Sequence, residues 1–161
     1  MGLFEDRLSE LGLELPPEIS PPPGVVLPFA FVMIRGSRAF VSGHGPQMPD
    51  GRIAPPFGQV GTDVSIEEAV EAARLTGLSM LGSLRRSLGS LDRIAGWLRV
   101  FGMVNSAPGF DRQPTVINGF SDLILNLFGP EVGRHARSAV GMAALPFGIP
   151  VEIEAEVAIE V

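Results

Sequence analysis

The C-terminal stretch of the chain alternates between apolar and mostly acidic side chains, starting at Val151. The apolar positions are Val151, Ile153, Ala155, Val157, Ile159 and Val161, and the acidic positions between them are Glu152, Glu154, Glu156 and Glu160. A period of two over this length predicts a β-strand with one buried face and one polar face. The fold must therefore contain a sheet, and other elements must cover one side of it.

A second strand is predicted just before this one. Residues 138–145 are small and apolar, and residues 145–150 contain two prolines and a glycine, which are typical of turns. The two strands predict a C-terminal hairpin that begins near Arg137 and brings Glu152 back toward it.

The upstream chain alternates between strand and helix patterns. Ser65 with Glu68 forms the sequence of a capping box, and Gly89 is a suitable end for the helix that follows. In order, the predicted elements are strands at residues 25–34 and 39–42, a helix at 65–88, a strand at 94–104, a helix at 114–129, and the two C-terminal strands. This order predicts an α+β fold, with two helices on one face of a mixed sheet.

The N-terminal residues differ in composition from the rest of the chain. Phe4, Leu8 and Leu11 have helical spacing, and prolines recur between residues 16 and 23. We therefore expect a short helix and a proline-rich arm at residues 1–24, followed by one domain at residues 25–161. The arm either lies over the surface of the domain or reaches a neighbouring subunit.

Composition disfavours several classes of function. The net charge of −6 opposes binding to phosphate backbones, so nucleic acid is not an expected partner. The chain has no cysteine and only two histidines, which predicts no metal site and no disulfide. No apolar run approaches the ~18 residues needed to span a bilayer, and the acidic N-terminus is unlike a signal peptide. We expect a cytoplasmic protein without a membrane partner.

Five short segments, taken in order, resemble the RidA/YjgF family over about residues 25–161. Pro28-Phe29 resembles the family's Pro-Tyr, and residues 41–46 resemble its Ser-Gly-Gln-x-Pro turn. The other segments are Gly89 to Ile94, Asn118-Gly119-Phe120, and the C-terminal series Arg137-Ser138, Leu145-Pro146 and Val151-Glu152-Ile153-Glu154-Ala155.

The resemblance implies a chorismate-mutase-like fold in which three subunits pack their sheets into a central barrel. It also implies cofactor-free hydrolysis of reactive 2-enamine or 2-imino acids to 2-keto acids and ammonia, in clefts between subunits. Arg137 would bind the substrate carboxylate, since a guanidinium pairs well with a planar carboxylate. Glu152 would hold or activate the attacking water.

The resemblance further assigns a substrate-binding wall, made of Phe29, Ser42, Gly43, His44, Asn118 and Ala139. Three of these positions depart from the family pattern: Phe29 replaces a tyrosine, His44 a glutamine and Ala139 a frequent cysteine. Two hypotheses therefore stay open. One is a divergent deaminase, and the other is a non-catalytic trimeric protein that binds or senses small carboxylate metabolites. RNA cleavage, an older label of the family, is disfavoured by the acidic charge.

Overall fold

The computed structural model describes residues 2–21 and 23–161 and shows an α+β fold with one mixed sheet. The strands are β1 (Val32–Arg35), β2 (Arg38–His44), β3 (Ile94–Asn105), β4 (Ala136–Met142) and β5 (Val151–Ile159). The helices are α1 (Leu3–Glu10), α2 (Ile66–Leu88) and α3 (Gln113–Gly133), with short 3₁₀ turns at Leu91–Arg93 and Pro146–Gly148. The predicted fold class and the order of elements are confirmed.

The strand order across the sheet is β1-β2-β5-β3-β4, so the predicted C-terminal hairpin is wrong. Strand β3 lies between β4 and β5. Its Val100 pairs with Arg137 of β4 in parallel and with Ala155 of β5 in antiparallel. The connection at residues 143–150 does not turn back tightly but crosses the end of β3, a distance of about 10 Å.

The alternation in β5 separates two faces of the sheet, as predicted. Val151 and Ile153 are fully buried in the core beneath the helices. Glu152, Glu154 and Glu156 point to the opposite face, which we call the open face. Apolar side chains also remain on the open face, with exposed fractions of 36–42% for Met33, Phe40 and Val140. The open face is therefore partly apolar and partly charged.

Helix α2 begins and ends where the sequence predicts. The Ser65 hydroxyl accepts a hydrogen bond from the Glu68 amide, and the Glu68 carboxylate accepts one from the Ser65 amide. Gly89 follows the helix with a φ of 84°. Helix α3 breaks at Gly129 (φ 74°), where the sequence predicts its end, and a further short helical turn continues to Gly133.

The first two strands differ in length from the prediction. Strand β1 has only four residues, because the chain before Val32 is irregular and contains Pro28, which has no amide hydrogen to donate. Strand β2 continues to His44 instead of ending before Gly43. A bulge between Val41 and His44 allows this continuation.

The N-terminal residues pack against the helical layer. Phe4 and Leu8 of α1 are buried, and the Phe4 ring lies 4.7 Å from that of Phe128. The Phe4 amide donates to Asp92, and Glu5 pairs with Arg85 at 2.9 Å. Of the predicted arm, Met1 and Pro22 lie outside the described residues. Within the part of the chain that the structure describes, no helix is both long and apolar enough to cross a bilayer.

Close packing of α2 on α3 requires glycine at position 119. A Cβ there would overlap the backbone carbonyl oxygen of Val70. We predict that Gly119→Ala lowers the free energy of unfolding by about 1–3 kcal/mol, because the helices must separate. Urea unfolding measures this change. Gly96→Ala is the control, since no atom lies within 4 Å of the added Cβ. Equal stability of Gly119→Ala and the wild type would contradict this account of the interface.

Candidate functional site

Most of the residues that the sequence singles out lie in two clusters on opposite faces of the sheet. We call them the acid cluster, around Glu152 and Gly43, and the arginine cluster, around Arg137 and Asn118. His44 and Phe29 belong to neither cluster.

The acid cluster depends on the absence of a side chain at Gly43. A Cβ at this position would lie 2.8 Å from Oε1 of Glu152, so a larger residue would displace the carboxylate from its present position. Burial, and secondarily the negative charge of Glu154, raises the pKa of Glu152. Glu152 therefore takes up a proton more readily than an ordinary surface glutamate, which suits acid–base chemistry.

Ser42 lies beside Gly43, and its side chain has a structural role. Its hydroxyl donates to the carbonyl oxygen of Ala30 at 2.7 Å, and its amide donates to that of Phe31 at 2.9 Å. Phe29 is 53% exposed and packs edge-on against Phe31. It lines a cleft against α2, away from Glu152.

His44 is buried on the helix side of the sheet, with 2% of its surface exposed. Its Nδ1 lies 2.6 Å from the carbonyl oxygen of Ser42, and its Nε2 lies 2.8 Å from the hydroxyl of Ser83. Burial lowers the pKa of His44, and the positive charge of Arg86 adds to this, against the opposing effect of the Ser42 hydrogen bond. In the neutral ring Nδ1 must carry the hydrogen, since a carbonyl only accepts, and Ser83 then donates to Nε2.

The arginine cluster is organised by α3. Nη1 of Arg137 donates to Oδ1 of Asn118 at 2.9 Å and to Oγ of Ser121 at 3.1 Å, and Nη2 donates to the carbonyl oxygen of Pro114 at 3.4 Å. The ion pairs among the described residues do not include Arg137. A guanidinium that is held in place but has no carboxylate partner is suited to bind an anion.

Two members of this cluster were missed from the sequence. Ser121 lies 2.9 Å from Nε2 of His135, and Nδ1 of His135 lies 2.7 Å from the carbonyl oxygen of Gly133. Burial lowers the pKa of His135, and the charge of Arg137 contributes, while the hydrogen bond to Gly133 opposes the shift. The neutral ring accepts from Ser121, which leaves the serine oxygen free to accept from Arg137. No fixed spacing of residues in the sequence predicts this arrangement of Ser121 and His135.

Ala139 follows Arg137 on the same face of β4 and lies in register with Gly102 of β3. A Cβ on Gly102 would come within 2.6 Å of Ile117, so α3 packs tightly at this point. Ala139 is packed against the core and adds no polar group to the arginine cluster.

A single subunit does not bring Arg137 and Glu152 together. Arg137 is in register with Val100 of β3, whereas Glu152 is in register with Met103. The two backbones are thus about 10 Å apart along the strands and about 10 Å apart across them, and the side chains leave opposite faces. A site that uses both groups requires two chains.

The described residues contain no group of three or more histidine, aspartate or glutamate side chains placed to hold a metal ion. The chemistry that the two clusters offer is therefore that of a fixed guanidinium and a carboxylate of raised pKa.

Comparison with known proteins gives consistent matches over most of the chain. A family model described as "YjgF/chorismate_mutase-like, putative endoribonuclease" matches residues 5–150. Protein TCP17 of Trypanosoma cruzi is 40% identical over 154 residues, which cover 96% of this chain and 92% of that protein.

Solved structures agree with these matches. The structure of protein Atu1372 from Agrobacterium tumefaciens, which is described as of unknown function, is 41% identical with a TM-score of 0.85, over 99% of this chain and 93% of that one. YyfA of the Rid family from Yersinia pestis is 19% identical with a TM-score of 0.60, over 85% of this chain and 92% of that one, and so shares the fold.

The lowered pKa of His44 predicts a specific acid sensitivity. The unfolded chain binds the proton with a pKa of about 6.5, whereas the folded chain resists it. The stabilising contribution of neutral His44 is therefore complete above about pH 6.5 and is lost as pH falls toward the lowered folded pKa.

Urea unfolding of the wild type and of His44→Gln at pH 7.5 and pH 5 tests this prediction. We expect the variant to lose less stability on acidification than the wild type does. The comparison between the two chains cancels the contributions of other titrating groups, Glu152 included. An identical loss in both chains would show that His44 does not resist protonation.

Proposed function

Because the chain belongs to the YjgF/chorismate-mutase-like family, we propose that it hydrolyses reactive 2-enamine or 2-imino acids to 2-keto acids and ammonia. Family membership alone does not identify the reaction, so the proposal depends on the residues of the candidate site. The observation that carries it is the guanidinium of Arg137, which α3 holds in place without a carboxylate partner.

Arg137 binds the substrate carboxylate in this proposal. Asn118, Ser121 and Pro114 accept hydrogen bonds from the guanidinium and fix its plane, while its remaining N–H groups are available to a ligand. A 2-imino acid carries its carboxylate next to the C=N carbon. Binding the carboxylate in a fixed plane therefore also orients the carbon to be attacked.

Glu152 handles the proton of the attacking water. The protonated imine is already an electrophile, so the carboxylate needs only to accept a proton as water adds to the carbon. Glu152 then returns this proton to the nitrogen, which leaves as ammonia, and accepts the proton of the new hydroxyl as the C=O of the keto acid forms. That last proton passes to the ammonia or to solvent. The raised pKa of Glu152 favours this exchange, since the group can both accept and return the proton.

We also propose that the chain works as a homotrimer. Arg137 lies on β4, an edge strand, and Glu152 lies on the open face, so neither can reach the other within one subunit. Packing of the open faces around a threefold axis would cover the exposed apolar groups at Met33, Phe40 and Val140. It would also place the arginine cluster of one subunit at the acid cluster of the next.

A binding protein for small carboxylates is the second candidate. The observation that favours it is that two of the expected wall residues add no reactive group to either cluster. Phe29 has no hydroxyl and points into another cleft, and Ala139 is packed against the core. Thermal-shift measurements with 2-keto acids, combined with the turnover assay below, distinguish the candidates, since a binding protein would be stabilised by ligands without turning over imines.

Loss of Arg137 should abolish most of the catalysis. An amino acid oxidase generates 2-imino acids in the assay, and semicarbazide competes for them. The wild type should speed keto-acid release, and Arg137→Ala should lower kcat/KM by about 10- to 100-fold, the value of a charged hydrogen bond. Arg134→Ala is the matched control, since Arg134 is exposed and has no described contact with the cluster. Full turnover by Arg137→Ala would exclude the proposed role.

Mixed oligomers test whether the site is shared between subunits. Chains with Arg137→Ala and chains with Glu152→Gln, carrying different tags, are co-expressed and the mixed species are purified. Each variant alone should be nearly inactive, whereas the purified mixed trimers should recover about a third of the wild-type activity, because one of the three interfaces in each of them combines an intact Arg137 with an intact Glu152. No recovery in mixed species that form normally would contradict a shared site.

A further inference from the structure

We propose that the chain has a second ligand site, centred on Arg86, that takes an apolar α-amino acid. The site is a cleft of about 480 Å³ between the N-terminal arm, the segment before β1 and the last turns of α2. This volume lies within the range of small-molecule sites, roughly 300–1,000 Å³. The residues that define its chemistry are Glu18, Ile19, Leu27, Phe29, Phe31 and Arg86. The inference goes beyond the proposed function and does not depend on it.

Arg86 is held in position and keeps donors free. Its Nη2 donates to Oγ of Ser83 at 3.1 Å, and its Nη1 donates to the carbonyl oxygen of Pro16 at 3.1 Å. A guanidinium has five N–H groups, so others remain for a ligand. The ion pairs among residues 2–21 and 23–161 do not include Arg86, although its neighbour Arg85 pairs with Glu5.

The support behind Arg86 repeats the support behind Arg137. Arg86 donates to Ser83, Ser83 contacts Nε2 of His44, and Nδ1 of His44 contacts the carbonyl oxygen two residues earlier. The same sequence of groups joins Arg137 to a helical serine, a histidine and a carbonyl two residues before that histidine.

This repetition separates Arg86 from an ordinary surface arginine. Ser83 and His44 have exposed fractions of 5% and 2%, so the support is buried. A buried hydrogen-bonded support that ends in a guanidinium at a cleft is the arrangement expected for a carboxylate site.

The remaining walls of the cleft define the rest of the ligand. Phe29 and Phe31 meet edge to face at 5.7 Å and offer aromatic surface, and Leu27 adds aliphatic surface. Glu18 also lines the cleft but forms no ion pair with Arg86. A zwitterion fits this set, with its carboxylate at Arg86, its ammonium group at Glu18 and its apolar side chain against the phenylalanines.

The competing explanation is that Arg86 only fastens the arm through the carbonyl of Pro16. That role predicts a loss of stability on substitution and no dependence on any ligand. The two explanations therefore differ in binding and not only in stability.

The experiment titrates L-phenylalanine into the full-length protein, followed by calorimetry and by the thermal midpoint. We expect saturable binding that Arg86→Gln weakens by at least about tenfold, the value of one lost charged hydrogen bond. Arg85→Gln is the matched control on the same turn of α2 and should bind normally, and Arg137→Gln reports any binding at the arginine cluster. Glu18→Gln, at an exposed position, should weaken binding of L-phenylalanine but not of phenylpyruvate, which lacks the ammonium group.

Three results would overturn the proposal. The first is no binding of L-phenylalanine by the wild type up to about 10 mM. At this concentration even weak binding, with a free energy of about −3 kcal/mol, would be detected. The second is unchanged affinity in a folded Arg86→Gln variant. The third is binding that Arg137→Gln abolishes and Glu18→Gln does not affect, which would place the ligand in the arginine cluster.

Discussion

Strand β5 lies in the middle of the sheet, and its one-sided burial sets the register of the strands beside it. Val151, Ile153 and Val157 are fully buried beneath the helices, while the glutamates between them face the other way. A slip of one residue would move the whole carboxylate row into the core, where unpaired charges are very costly. The position of Glu152 opposite Gly43 is therefore a consequence of core packing, and no further contact is needed to place the acid cluster.

The two arginines that we propose to bind an anion are positioned from the other side of the sheet, by the helices. Ser83 of α2 and Ser121 of α3 each lie between a guanidinium and a histidine ring of lowered pKa. These helices pack on each other through glycine contacts such as Gly119 on Val70. Because the helix pair fixes both serines, the packing of the core also determines the orientation of both arginines. Protonation of either histidine would remove the acceptor that its serine uses.

Local sequence patterns predicted the helices and strands, but they did not predict which strands pair with each other. The capping box at Ser65 and the period of two from Val151 are short-range signals, and both elements appear where they were expected. The hairpin error arose because strands adjacent in sequence were assumed to pair, whereas β4 pairs in parallel with β3. The family resemblance predicts roles for Arg137 and Glu152, which stay predictions, and it names neither Ser121 nor His135. His135 lies in the short link between α3 and β4, so its contact with Ser121 forms only when that link turns back along the helix.

The placement of Arg137 and Glu152 on opposite faces makes assembly part of the proposed chemistry. Within one subunit the proposed anion-binding guanidinium lies on the opposite face from the carboxylate that is proposed to handle water. In the proposed trimer the open faces meet, and the glutamate rows of three subunits approach one another. Arg38 pairs with Glu156 at 2.6 Å, and Arg99 lies in register with the same residue. The negative charge at the Glu156 end of each row is therefore compensated. Glu154 and Glu152 have no such partner among the described ion pairs. The end of the row that has no arginine partner is therefore the end at which the pKa of Glu152 is raised. Covering the open face would raise this pKa further, because it would remove water from the carboxylate.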